Sequence, residues 1–229
     1  MSASGIRLTL GTANIMPDAD LTPLRPTEGD SALMWDMAGT LIPFDPVTGR
    51  ASALPGCSDF LPELGNVFRL VVTTGDSTAS ARGLLTDFEL LSHFEAVYGD
   101  LFLPVGKPYG EILRQLGARP DCSLAIGDRL RADIPADTAE LVTILVNQNG
   151  DVINAGMVSF IIRILRQHGP SFPAAFDHLT TDADPDADAV GESRGGTIGK
   201  AWRRNDGFPY RLWSFTHPAL DGSRRVIVI

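Results

Sequence analysis

Short apolar runs alternate with amphipathic segments from Ser31 to Gln167, and this rhythm constrains the fold more than any other feature of the chain. Ser31 to Trp35, Val67 to Val72, Ala96 to Tyr98, Ser123 to Ile126 and Val142 to Val146 read as strands. Phe60 to Leu64, Thr78 to Leu85, Tyr109 to Leu116, Asp133 to Glu140 and Met157 to Gln167 read as helices. Unbroken apolar runs belong to strands covered on both faces. Their alternation with helices predicts a three-layer α/β, Rossmann-like fold with a parallel sheet over residues 31–169. Ligands on such sheets sit beyond the carboxyl ends of the strands.

The flanks differ in character. Residues 1–30 read as an irregular extension with one short alternating segment, Ile6 to Leu10. Residues 170–199 are acidic and then Gly-rich, the composition of a linker. Residues 200–229 combine arginines with Trp202 and Trp213 and end in the β-forming run Val226 to Ile229. This segment is expected to dock on the body.

Composition excludes several roles. The formal net charge of −9 disfavours nucleic acid and anionic membranes, whose phosphates are held by Lys and Arg. No apolar run reaches the ~18 residues of a membrane span. The two cysteines, Cys57 and Cys122, lack metal-ligand spacing, and the expected setting is a reducing cytoplasm. Only two lysines occur, Lys107 and Lys200.

Four pieces fall at strand ends. Asp36-Met37-Ala38-Gly39-Thr40 follows the first strand. Thr73-Thr74-Gly75 follows the second, Gly106-Lys107-Pro108 lies further on, and Gly127-Asp128-Arg129-Leu130-Arg131-Ala132-Asp133 follows the fourth. Each residue alone has an ordinary explanation, since an aspartate after a strand commonly caps a turn or helix. In this order, however, the set resembles the four motifs of the haloacid dehalogenase superfamily. The resemblance covers residues 31 to about 168.

The resemblance implies roles. Asp36 would be the nucleophile that takes the phosphoryl group. Thr73, or its neighbour Thr74 with Gly75, would hydrogen-bond the phosphate. Lys107 would offset the charge that builds on Asp36 and the phosphoryl oxygens. Mg²⁺ would be bound by Asp36, Asp128 and the Ala38 carbonyl, with Asp133 assisting directly or through water. The expected substrate is a phosphorylated compound. Neither gap, Asp36 to Thr73 or Thr73 to Lys107, has room for a full cap domain. The family's uncapped members have open sites that act on macromolecules or are covered by a neighbouring subunit; here a protein partner, a second copy of the chain or the chain's own two tails are the alternatives for a cover.

One position departs from the family. The residue two after the nucleophile is usually an aspartate that protonates the leaving oxygen, and here it is Ala38. Its carbonyl can still meet a metal, but a methyl group cannot move a proton. Asp45 and Asp76 are the spare carboxylates nearest the motifs. Two functions therefore remain: a Mg²⁺-dependent phosphohydrolase with altered acid/base chemistry, or a catalytically impaired protein that binds Mg²⁺, phosphate or a partner. Phosphonoacetaldehyde hydrolases also carry Ala here, but they need a cap-domain lysine, and none lies between Asp36 and Thr73.

Overall fold

A computed structural model of the chain describes residues 30–45, 47–101, 106–146, 155–181, 183–185, 198–203, 210–216 and 222–229. The first strand, β1 (Ala32–Asp36), is buried along its whole length. Because side chains alternate across a strand, Leu33 and Trp35 enter one apolar cluster while Ala32 and Met34 enter another on the opposite face. A sheet covered on both sides needs apolar residues at consecutive positions, which is why the sequence here shows no in–out pattern.

β2 (Arg69–Thr73) and β4 (Leu124–Gly127) pair in parallel with β1 on its two sides. β3 (Ala96–Tyr98) extends the sheet beyond β2, and β5 (Val142–Leu145) extends it beyond β4. The larger cluster takes in residues of α1 (Cys57–Gly65), α2 (Thr78–Asp87) and α5 (Ala155–His168). On the other face, α3 (Tyr109–Leu116) inserts Tyr109, Ile112 and Leu113. The α/β, three-layer, Rossmann-like body is therefore present. Between β1 and β2 the described residues place only a short hairpin, bridged at Phe44 and Ala51, and α1.

Three features depart from the sequence reading. The helix expected from Asp133 to Glu140 is instead a single turn, α4 (Leu130–Asp133), followed by irregular chain. Pro135 holds the preceding Ile134 extended (φ −80, ψ 147), and the Ala136 amide bonds the Lys107 carbonyl at 3.0 Å. Pro135 and these tertiary hydrogen bonds together stop the helix. Next, α6 (Phe172–Thr181) lies inside the stretch read as linker. Phe172, Ala175, Phe176 and Leu179 form a buried stripe at helical spacing, and the Ser171 hydroxyl accepts the Ala174 amide at 3.4 Å.

Finally, the sheet does not stop at β5. β9 (Ser223–Val228) pairs parallel to β5, so that Ile144 faces Ile227. β8 (Arg211–Thr216), β7 (Ile198–Arg203) and β6 (Asp184–Pro185) then follow antiparallel, giving the order β3-β2-β1-β4-β5-β9-β8-β7-β6. Trp202 packs against the main core and Trp213 against a small cluster of Ile134, Leu145 and Val226. The segment Ile6 to Leu10 and the Gly-rich stretch 186–197 lie outside the described residues.

Candidate active site

The register of the parallel strands brings the motifs together. Asp36 at the end of β1 lies beside Thr73 at the end of β2, and Trp35 lies beside Ile126, which places Asp128 just past β4. Asp36, Asp128 and Asp133 each offer a carboxylate oxygen, all within 4.8 Å of one another. Lys107 enters from the loop before α3. Its Nζ donates to Asp36 Oδ1 at 2.5 Å, Asp133 Oδ1 at 2.7 Å and the Thr73 carbonyl at 3.0 Å. The ammonium, 4% exposed, is thus fully committed.

Two glycines make room for this cluster. Gly39 sits at φ +84, and a Cβ there would overlap the Asp128 carboxylate. A Cβ on Gly127 would overlap Asp133. The glycines of both motifs therefore do steric work: any side chain would push a carboxylate out of place.

Electrostatics follow from burial. Loss of water pushes the Asp36 carboxyl up to about 7; Lys107 pulls it down and Asp133 adds to the rise. Burial also opposes the Lys107 charge, but Tyr109, Asp36 and Asp133 outweigh it and hold the ammonium above the usual lysine range. The Asp128 carboxyl is raised by burial and then by Asp133. Carboxylates crowded out of water around one ammonium form an electron-rich site that a hard cation would relieve.

An open cleft of about 280 Å³ lies over the cluster, lined by Asp36, Ala38, Thr74, Gly75, Asp76, Lys107, Asp128 and Asp133, with Arg129 on its wall. Thr73 does not line it. The Thr73 hydroxyl is fully buried and donates to the Trp35 carbonyl at 3.3 Å, whereas Thr74 and Gly75 face the opening. Asp133 accepts the Arg129 amide at 2.9 Å as well as the Lys107 ammonium, so it ties the loop after β4 to the lysine. Of the two spare carboxylates, Asp76 lines the cleft. Asp45 is exposed and accepts the Val47 and Thr48 amides at 2.7 and 2.8 Å, a turn role away from the cleft.

Sequence reasoning gave no role to Thr40, whose hydroxyl donates to Asp36 Oδ2 at 3.2 Å, or to Arg129. Thr40 was visible within the first motif. Tyr109 is fully buried beside the lysine and was read only as part of a helix.

Comparison with known proteins agrees with this geometry. The sequence model of the haloacid dehalogenase-like hydrolase family matches residues 47–136. That stretch contains Thr73, Lys107, Asp128 and Asp133, while Asp36 and Ala38 precede it. Over that stretch the chain is similar to the haloacid dehalogenase-like hydrolases, and its α/β architecture is the one expected from that similarity. Among solved structures, a haloacid dehalogenase-like family hydrolase from Streptococcus pneumoniae is 14% identical, with a TM-score of 0.41. The similarity covers 58% of this chain and 92% of that one. The core domain of a candidate phosphoglycolate phosphatase from Streptococcus pneumoniae TIGR4 is 15% identical, with a TM-score of 0.38. Here 58% of this chain and 96% of that one are covered. No curated protein matches.

Proposed function

We propose that the cleft is the active site of a Mg²⁺-dependent phosphohydrolase. The observation that carries this reading is the junction of Lys107 with Asp36 and Asp133, beside Asp128. In the proposed reaction Asp36 attacks the phosphorus of a phosphate monoester, the bond to the leaving oxygen breaks, and an aspartyl phosphate forms. Water then attacks that phosphorus, releasing inorganic phosphate and restoring Asp36. Lys107 would balance charge on Asp36 and on the phosphoryl oxygens, and Thr74 and Gly75, which line the cleft, would hydrogen-bond those oxygens.

The donor set fits Mg²⁺, which prefers hard oxygen ligands: Asp36, Asp128 and the Ala38 carbonyl would hold it, and Asp133 would assist. Bound there, the ion would neutralise phosphate charge as the nucleophile approaches. The substrate is a phosphorylated compound, and a protein partner or a second copy of the chain is the proposed cover for the open cleft. The acidic charge argues against nucleic acid as that cover, and a cytoplasmic setting belongs to the same reading.

Ala38 favours a second reading, a protein that binds Mg²⁺ and phosphate without turnover. Hydrolysis of p-nitrophenyl phosphate with Mg²⁺ or with EDTA separates the two, together with capture of a beryllofluoride adduct on Asp36. Turnover that needs Mg²⁺ and Asp36 supports the enzyme. Adduct formation without turnover supports the binding protein. Neither one would remove both.

A further inference from the structure

The segment between α4 and β5 is gripped from two sides. On one side Lys107 exchanges backbone hydrogen bonds with it: the Lys107 amide donates to the Ile134 carbonyl at 3.2 Å, and the Ala136 amide donates to the Lys107 carbonyl at 3.0 Å. Pro135, between them, bridges to Lys107. One turn further, the Asp137 carboxylate accepts the Gly110 and Glu111 amides at 2.7 and 2.8 Å, capping the helix that follows Lys107.

On the other side stands Arg224 of β9. Its side chain is 1% exposed. Burying a guanidinium is costly unless its donors find acceptors. Here Nε donates to the Pro135 carbonyl at 2.9 Å and Nη1 to the Gly222 carbonyl at 3.2 Å. Proline has no amide, so its carbonyl is the handle by which the segment can be held at that point. The family match ends at residue 136, and Arg224 comes from a strand outside it.

We infer that Arg224 is a positioning residue for Lys107, acting through the Pro135 carbonyl. The lysine ammonium reaches three acceptors within 3.0 Å, and such a junction tolerates little displacement of the backbone that carries it. Arg225, next along β9, holds Ala139 at 3.4 Å and Asp177 at 2.8 Å instead, so the two arginines divide the work. The catalytic consequence rests on the phosphohydrolase reading; the bracing itself does not.

The lysine provides a readout independent of activity, since the chain has only two. In the full-length protein, acylation of Lys107 by an N-hydroxysuccinimide acetate, followed by peptide mass spectrometry, reports how well the ammonium is held. Arg224→Met should speed labelling of Lys107 about ten-fold or more. Arg224→Lys should restore much of the protection, and Arg225→Gln should leave it unchanged. A folded Arg224→Met protein with Lys107 as protected as in the wild type would overturn the inference. So would equal deprotection by Arg225→Gln, which would mean general loosening of β9.

Should Arg224→Met fail to fold, hydrogen exchange of the wild type decides. Lys107 and Ala136 amides that open together with β9 support the brace, and opening independent of β9 refutes it. On the phosphohydrolase reading, Arg224→Met also lowers kcat about ten-fold with KM within about two-fold. Loss of Lys107 protection in a protein whose wild type hydrolyses nothing would retain the brace and remove the phosphohydrolase.

Discussion

Lys107 Nζ stands 2.5 Å from Asp36 Oδ1 across 71 residues of sequence, and both side chains are largely buried. Taking the lysine away would leave Asp36 and Asp133 buried without their shared counter-charge. Lys107→Met should therefore cost ~3–5 kcal/mol at pH 8, the usual penalty for stranding a buried charge. The loss should shrink at pH 5, where Asp36 can take a proton. Urea unfolding at both pH values checks this, and equal losses would contradict it.

The raised Asp36 carboxyl also sets a sign for metal binding. Its ordinary value is 3.8 and burial brings it to about 7. Its contribution to the stability of the metal-free protein is thus full below about pH 4 and is lost as pH rises through 7. Mg²⁺ needs the ionised form, so its stabilising effect should be small at pH 5.5 and larger at pH 8. At a hundred times its dissociation constant the gain is ~2.7 kcal/mol by mass action. Thermal melts with Mg²⁺ and EDTA at the two pH values measure it; a pH-independent shift would mean that Asp36 is not a ligand.

Ala38→Asp tests the proposed phosphohydrolase at the position where the resembled family carries its acid/base aspartate. Mg²⁺-dependent hydrolysis should rise, with a gain that can approach ~10²–10⁴-fold. The rise should be larger for an alkyl phosphate than for p-nitrophenyl phosphate, whose leaving group departs without a proton. Asp36→Asn in the same background should abolish it. A fall in activity instead would mean that another group already moves the proton.

Asp76 is that group if one exists, because it lines the cleft and Asp45 does not. Asp76→Asn should depress turnover of alkyl phosphates more than of nitrophenyl phosphate. Asp45→Asn should alter neither, since its carboxylate serves the turn at Val47 and Thr48. Steady-state rates on the two substrate types give the comparison.

The thiols should differ in reactivity. Cys57 is buried in the core and burial pushes its thiol up to about 12, whereas Cys122 is partly exposed. Native protein treated with dithionitrobenzoate should lose the Cys122 thiol first, and Cys57 only on unfolding. Two equal fast phases would show that the α1 packing opens readily.

Much of this was legible because buried strands and their end residues announce themselves. Trp35 followed by Asp36, and Ile126 followed by Gly127-Asp128, mark where apolar sheet gives way to the clustered carboxylates. What escaped depends on distance in space. Residues 133–140 hold Ala136, Ala139 and Glu140, which suit a helix, yet Pro135 interrupts them and Lys107 and Arg224, far off in sequence, claim their backbone groups. The choice between Thr73 and Thr74 turns on which side of a strand end faces the cleft, and one residue of offset reverses it. By contrast, α6 carried its signal openly in the spacing of Phe172, Phe176 and Leu179; the acidic stretch beyond it obscured the pattern.

The pairing of β5 with β9 has a kinetic side. About eighty residues separate the partners, and closing a loop of that length is slow compared with forming the nearer β1–β2 and β4–β5 contacts. Until β9 arrives, β5 is an open edge, with backbone groups available to any passing strand. The arginine behind Pro135 arrives on the same strand. Closure of the sheet and completion of the lysine's support thus become one event, and a chain stalled short of it keeps both a sticky edge and a lysine without its brace.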